Sequence, residues 1–198
     1  MRSPGASIPS SILNFDLERA QKRIRPQRRA EPLASAPGPE FLSEPVLSGP
    51  QLLLDSCVYI DVLQGKAPSA LRRLLEVRLV NHSTVCLGEL THLFGRLDPA
   101  DARTKAALVK ISRVIEQIPD HRLIAPTAQI GGEAGMLAGL ARRMRHAPRD
   151  ASDCELLNDA TIFLQAIEQG QIVLTRNIRD FSLLSTLVPA GRALFYRT

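Results

Sequence analysis

Four acidic side chains sit where an alternating strand–helix chain can bring them together. Asp55 ends the apolar run Leu52-Leu53-Leu54, and Glu89 follows the run Thr84-Val85-Cys86-Leu87. Asp159, beside Asn158, stands in the first turns of a helical stretch leading into Ile172-Val173-Leu174-Thr175, and Asp180 follows that run by a few residues. In an open parallel sheet, ligands collect outside the carboxyl ends of the strands, so groups just beyond those ends converge. Carboxylates brought together repel one another, and a hard divalent cation such as Mg²⁺ or Mn²⁺ relieves the conflict because it prefers oxygen ligands and keeps waters for reaction. Such an ion activates water and stabilises charge developing on a phosphoryl group. The chemistry this set suits is hydrolysis of a phosphate ester. Each acid also has a purely structural alternative. Asp55 or Asp180 can cap the helix it precedes, Glu89 can complement a helix dipole, and Asp159 can bond a neighbouring helix.

Other chemistries lack their residues. Gly131, Gly132, Gly135 and Gly139 are not followed by G-K-[ST], so they form no phosphate cradle of that type, and Gly135-x-x-x-Gly139 reads as a close-packing face. There is no G-x-S-x-G nucleophile elbow. His82, His92, His121 and His146 show no metal-ligand spacing, although His82 and His92 flank the segment that carries Glu89. Cys57, Cys86 and Cys154 are widely spaced and odd in number, which excludes a disulfide framework or a C-x-x-C zinc knuckle and favours a reducing cytoplasm.

The elements that must position the acids follow from hydrophobic period. Apolar runs at 52–54, 84–87, 122–125, 172–175 and 193–196 read as strands. Between them, 67–77, 101–118, 127–145 and 153–169 read as helices, the second with Ala107, Leu108, Ile111, Val114, Ile115 and Ile118 at helical spacing and the last stopped by Gly170. Strands alternating with helices predict a parallel α/β sheet covered on both faces.

Composition changes near residue 50. Eight of the 14 prolines fall in residues 1–50, so 1–49 reads as a disordered, Pro-rich basic arm and 50–198 as the folded domain. Within the arm, Ser11 to Arg25 has the pattern of a short helix with Ile12, Phe15 and Ala20 on one side, followed by Arg28 and Arg29. The arm carries seven basic and five acidic residues, net +2, out of +5 for the whole chain, a balance compatible with a polyanionic partner. No run approaches the roughly 18 apolar residues of a spanning helix, and the first 30 residues hold no signal-type apolar segment. The expectation is a cytoplasmic protein with no membrane partner.

Together these blocks resemble the PIN-domain family. The resemblance rests on Leu-Leu-Leu-Asp55-Ser56, on the Glu89 helix, on Leu157-Asn158-Asp159-Ala160, and most specifically on Val173-Leu174-Thr175-Arg176-Asn177-Ile178-Arg179-Asp180-Phe181. It spans about residues 50–198 and is strongest to the VapC-type toxins of bacterial toxin–antitoxin pairs. It implies a three-layer α/β/α domain with a central parallel sheet of about five strands. It also implies a Mg²⁺- or Mn²⁺-dependent endoribonuclease, a homodimer, and an antitoxin protein as partner. Carried over by position, Asp55, Glu89 and Asp159 resemble the principal metal-binding acids, and Asp180 with Asn177 completes the site or orients water. Ser56, Thr175, Arg176 and Arg179 are the expected substrate contacts. Two departures matter: Asn177 stands where many relatives have an acid, and Cys57 where a small polar residue is usual. They keep open a second reading, a non-catalytic RNA-binding or partner-binding module of the same fold.

Overall fold

The computed structural model describes residues 14–26, 28, 38–43, 48–144 and 153–198. Its elements in chain order are α1 (Leu17–Ile24), β1 (Glu40–Phe41), β2 (Leu52–Leu54), α2 (Ser56–Leu63), α3 (Ser69–Val77), β3 (Val80–Ser83), α4 (Thr84–Arg96), α5 (Ala102–Glu116), β4 (Leu123–Ile124), α6 (Ala128–Met144), α7 (Asp153–Glu168), β5 (Ile172–Thr175), α8 (Ile178–Leu187) and β6 (Ala193–Phe195). The strands form one sheet in the order β1-β6-β5-β2-β3-β4, with every pair parallel.

Right-handed crossovers sort the helices into layers. The chain steps from β2 through β3 to β4 in one direction, which puts α2 to α5 on one face. It then returns to β5 and moves outward to β6, which puts α6, α7 and α8 on the other. The direction reverses between β2 and β5, whose registers pair Leu52 with Ile172 and Leu54 with Leu174. A parallel α/β sheet opens its ligand crevice at that switch point. Leu52, Leu53, Val173 and Leu174 are fully buried, as expected for strands covered on both sides. Phe163 of α7 and Phe181 of α8 meet edge to face at 6.2 Å beneath them. Gly191 touches that pair so closely that a Cβ there would lie 2.2 Å from the Phe163 ring, and only glycine leaves the ring its place.

Three local expectations are corrected. The second strand is Val80–Ser83, and Thr84–Leu87 is already helix. The helix starts there because the Ser83 side chain accepts the Val85 N–H and caps it. Gly135 and Gly139 have nothing within 4 Å of where a Cβ would stand, so they are not a packing face; α6 packs instead through Ala134, Leu137, Ala138 and Ala141. Asn177, not Asp180, caps α8, its side chain accepting the Asp180 N–H.

Two pieces of the segment read as an arm are elements of the fold. β1 adds a sixth strand to the expected five, pairing Glu40 with Leu194 and Phe41 with Phe195. The arm helix is shorter than the pattern suggested, since Asp16 caps it by accepting the Arg19 N–H, and Ile12 lies outside the described residues. Ala20 and Ile24 of α1 are buried against α6. Among the described residues, no helix is long and apolar enough to cross a membrane.

Candidate active site

Asp55 occupies the last position before α2, yet its side chain makes no cap hydrogen bond to the helix. It is 4% exposed, and its carboxylate receives three side-chain donors: Thr175 Oγ1 at 2.6 Å and Cys57 Sγ at 3.0 Å on Oδ2, and Ser56 Oγ at 3.4 Å on Oδ1. The capping alternative therefore fails for Asp55, because the carboxylate turns across the switch point toward β5. Thr175 is fully buried and spends its hydroxyl on Asp55 while accepting the Asn177 N–H at 2.9 Å. It positions the acid and the turn after β5 and is out of reach of any ligand. Ser56 likewise faces Asp55.

Asn177 carries the chain of contacts onward. Its Nδ2 donates to Asp159 Oδ2 at 3.0 Å and to Asp180 Oδ2 at 2.9 Å, and its Oδ1 accepts the Asp180 N–H at 3.2 Å. An amide fits between two carboxylates where a third acid would repel both. Asp159, 9% exposed, projects from the second turn of α7. Glu89 is not at its helix start but in the second turn of α4, a consequence of the earlier helix onset. Its Oε1 accepts Asn158 Nδ2 at 2.7 Å, so Asn158 holds Glu89 while its neighbour Asp159 is held by Asn177. The buried Cys86 thiol beside these residues is pushed well above its ordinary pKa, first by burial and then by the charges of Asp55 and Glu89.

As for a cation, among the described residues no three His, Cys, Asp or Glu side chains already converge as a ligand cage. The donor chemistry nonetheless suits a hard ion, since the cluster is built of carboxylate oxygens. Glu89 Oε2, moreover, is a buried oxygen with no hydrogen-bond partner. A buried acceptor left unmade is costly unless something outside the protein satisfies it.

One acid at this site, Asp61, is absent from the residues that the sequence pattern singles out. Asp61 of α2 is 1% exposed and accepts Tyr196 Oη at 2.8 Å and Arg176 Nε at 2.9 Å. Burial alone would lower the Arg176 pKa, but the Asp61 charge outweighs it, and the guanidinium is held charged with its side chain about half exposed. An acid on the second turn of α2, six residues past Asp55, was the available clue. Arg179 is exposed in the first turn of α8. None of the three described histidines joins the acids: His82 Nδ1 lies 2.7 Å from Tyr59 Oη, and His92 and His121 are exposed, while His146 lies outside the described residues.

Cys57 fills the space between Asp55, Thr175 and the Arg176 N–H, which it accepts at 3.3 Å. Burial, reinforced by Asp55, pushes its thiol up to about 12. A thiol so placed is inert as a nucleophile, because the thiolate is the reactive form. Iodoacetamide at about pH 8 is therefore expected to label the exposed Cys154 and spare Cys57 until guanidinium unfolds the chain. Peptide mass spectrometry reads the difference, and equal labelling of the two would contradict it.

No family model matches the chain, and no curated protein matches it. Solved structures do. A chain from the crystal structure of VapBC2 from Rickettsia felis, bound to a DNA fragment from the promoter, matches with a TM-score of 0.51 and 15% identity, over 74% of this chain and 98% of that one. A chain of the DNA-bound VapBC of Salmonella typhimurium matches with a TM-score of 0.50 and 17% identity, over 75% and 98%. The fold is the VapC-like PIN fold. At this identity the likeness is one of architecture. Three quarters of this chain spans nearly the whole of each of these neighbouring chains.

Proposed function

We propose that this protein is a divalent-cation-dependent nuclease that hydrolyses RNA phosphodiesters, and that it is the toxin of a toxin–antitoxin pair. The observation that carries the reading is the hydrogen-bonded series from Asp55 through Thr175 and Asn177 to Asp159 and Asp180, which joins three acids from distant segments across the switch point. Asp55, Glu89 and Asp159 would hold Mg²⁺ or Mn²⁺, and an ion there supplies Lewis acidity to a phosphoryl oxygen and lowers the pKa of a bound water. The chain's own groups do the rest. Thr175 and Cys57 hold Asp55 in place, and Asn177 holds Asp159 and Asp180 apart at hydrogen-bond distance. Asp180 then orients the attacking water, and Arg176, anchored through Nε, turns its terminal nitrogens to a neighbouring phosphate.

An antitoxin is the proposed partner, as it is in the VapBC complexes that share the fold. A groove of about 660 Å³ between α2, α4 and α5, lined by Ile60, Leu63, Leu90, Leu93 and Ile111, is the kind of surface a protein partner covers. A homodimer is proposed on the same grounds, since Val62, Val77, Phe94 and Val109 remain exposed on α2 to α5.

The test is a cleavage assay of the full chain on single-stranded RNA and on DNA of the same sequence. Cutting of the RNA with Mn²⁺ or Mg²⁺, lost with EDTA and restored by excess metal, is the expected result. Cutting that ignores EDTA would refute the metal role. RNA binding without cutting under any metal would instead establish the non-catalytic module, and preference for DNA would change the substrate.

A further inference from the structure

α1 is seated along the outer side of α6 by contacts of several kinds. Asp16 N donates to Gln129 Oε1 at 2.7 Å, and Gln129 Nε2 donates back to the Asp16 carbonyl at 3.2 Å and to Glu133 at 2.8 Å. Glu133 has no exposed surface and takes Arg23 Nη1 at 2.5 Å. Phe15 rests in the notch left by Gly132, where a Cβ would stand 2.2 Å from the ring. At the other end, Arg143 Nη2 donates to the carbonyls of Pro26 and Arg28 at 2.6 and 2.7 Å.

These contacts set a direction. Residues 15 and 16 lie by the start of α6 and residues 26 and 28 by its end, so α1 and α6 run parallel. α7 crosses back into β5, which puts its first turns, and with them Asp159, at the carboxyl edge of the sheet. Gln165 Nε2 in the last turn of α7 donates to the Ile124 carbonyl at 2.9 Å, just before α6 begins, so α6 starts beside the end of α7, runs antiparallel to it and finishes at that same edge. The arm helix thus ends beside the active-site rim. Arg25, in the left-handed conformation (φ 50°), closes α1 there, and Arg25 and Arg28 are both exposed. Arg142 and Arg143 occupy the last turn of α6, and α8 contributes Arg179 from its first turn. Glu155 stands in the first turn of α7 at the same end.

We propose that this arginine band, Arg25 and Arg28 of the docked arm with Arg142 and Arg179, binds the phosphate backbone of single-stranded RNA along the active-site rim. The proposal rests on the nuclease reading for its substrate and on the arm's docking for its place. Phosphates rather than bases are the ligand because the chain has no tryptophan and both tyrosines are buried, which leaves the site without tyrosine or tryptophan stacking platforms. Contacts of this kind strengthen binding without reading sequence, and each one adds to the salt dependence.

Binding of a short fluorescent single-stranded RNA to the full chain, followed by anisotropy with EDTA present, tests it. Arg25→Gln/Arg28→Gln is expected to weaken binding several-fold and to flatten the log K against log salt slope by about 1.4, at roughly 0.7 per lost contact. Gly132→Ala, which keeps every arginine but drives a methyl group into the Phe15 seat, is expected to weaken binding in the same sense by unseating the arm. In the metal-supplied cleavage assay, both variants should raise KM and leave kcat unchanged. Unchanged affinity and slope in the double variant overturn the band. Loss in the double variant with full affinity in Gly132→Ala overturns the role of docking. Wild-type protein that shows the arm-dependent binding but never cuts RNA would refute the nuclease reading and leave the band standing.

Discussion

Asp159→Asn is expected to abolish most of the hydrolysis while leaving the fold intact. The side chain keeps its shape, and its oxygen can still accept Asn177 Nδ2, which now donates at 3.0 Å. What disappears is one negative charge from the group that also contains Asp55 and Glu89. Removing a single preorganised electrostatic group from an active site costs on the order of 10²–10³-fold in rate, and a loss of that size in kcat is the expected result. Metal binding gives a second readout. A ligand that binds only the folded state at 100 times its Kd adds about 2.7 kcal/mol of stability. For a chain of this length that amount raises Tm by roughly 5–10 °C. Wild-type protein should show such a rise with Mn²⁺ and the variant only a small part of it, with the metal-free variant as stable as the metal-free parent. Equal metal stabilisation of both proteins would show that Asp159 is no ligand.

Asp61→Asn is expected to act on both stability and substrate affinity, through a residue that touches no reacting group in this reading. Asp61 ties three segments together: α2, the turn after β5 through Arg176 Nε, and the end of β6 through Tyr196 Oη. Hydrogen bonds to a charged group contribute about 1.5–3 kcal/mol, and the neutral amide keeps only part of that. A fall in Tm of several degrees follows. Arg176 also loses the charge that holds its guanidinium at the rim, so KM for RNA should rise while kcat at saturation stays near the parent value. That split separates positioning from general destabilisation, which would lower the amount of active enzyme and leave KM alone. Arg176→Gln removes the same rim charge and should reproduce the KM effect, with a fall in Tm of its own because the buried Asp61 carboxylate loses its cation. A normal KM in both variants would refute the positioning role.

Why Asp61 escaped the sequence reading while Asp55 did not is a matter of physical range. Asp55 follows a run of three leucines, and a strand end in an alternating α/β chain already tells where a side chain must point. Asp61 lies inside an apolar helix, and its meaning depends on Tyr196, 135 residues away, and on Arg176. Local pattern carries the period of an element but not the identity of a distant partner. The same limit explains Glu89. Its participation was legible, but its place in the helix was shifted by Ser83, whose capping hydroxyl moved the helix onset ahead of residues with strand-like composition. β-branched and apolar residues at 84–87 satisfy either state, and the cap decides between them.

The arm shows the division most plainly. By itself the sequence determined that residues 52–198 alternate strands and helices, that Asp55 and Asp180 follow strands while Glu89 and Asp159 lie in early helical turns, and that the first 49 residues are proline-rich and basic. Those are consequences of composition and short-range period, which act along the chain. Only the tertiary structure decided that Ala20 and Ile24 are core residues, that Arg23 meets a buried Glu133 110 positions away, and that β1 extends the sheet beside β6. The physical reason is that a short polar helix has little stability of its own. It forms where a complementary surface waits for it, and that surface, the Gly132 notch and the Gln129–Glu133 face of α6, exists only after the rest of the chain has folded.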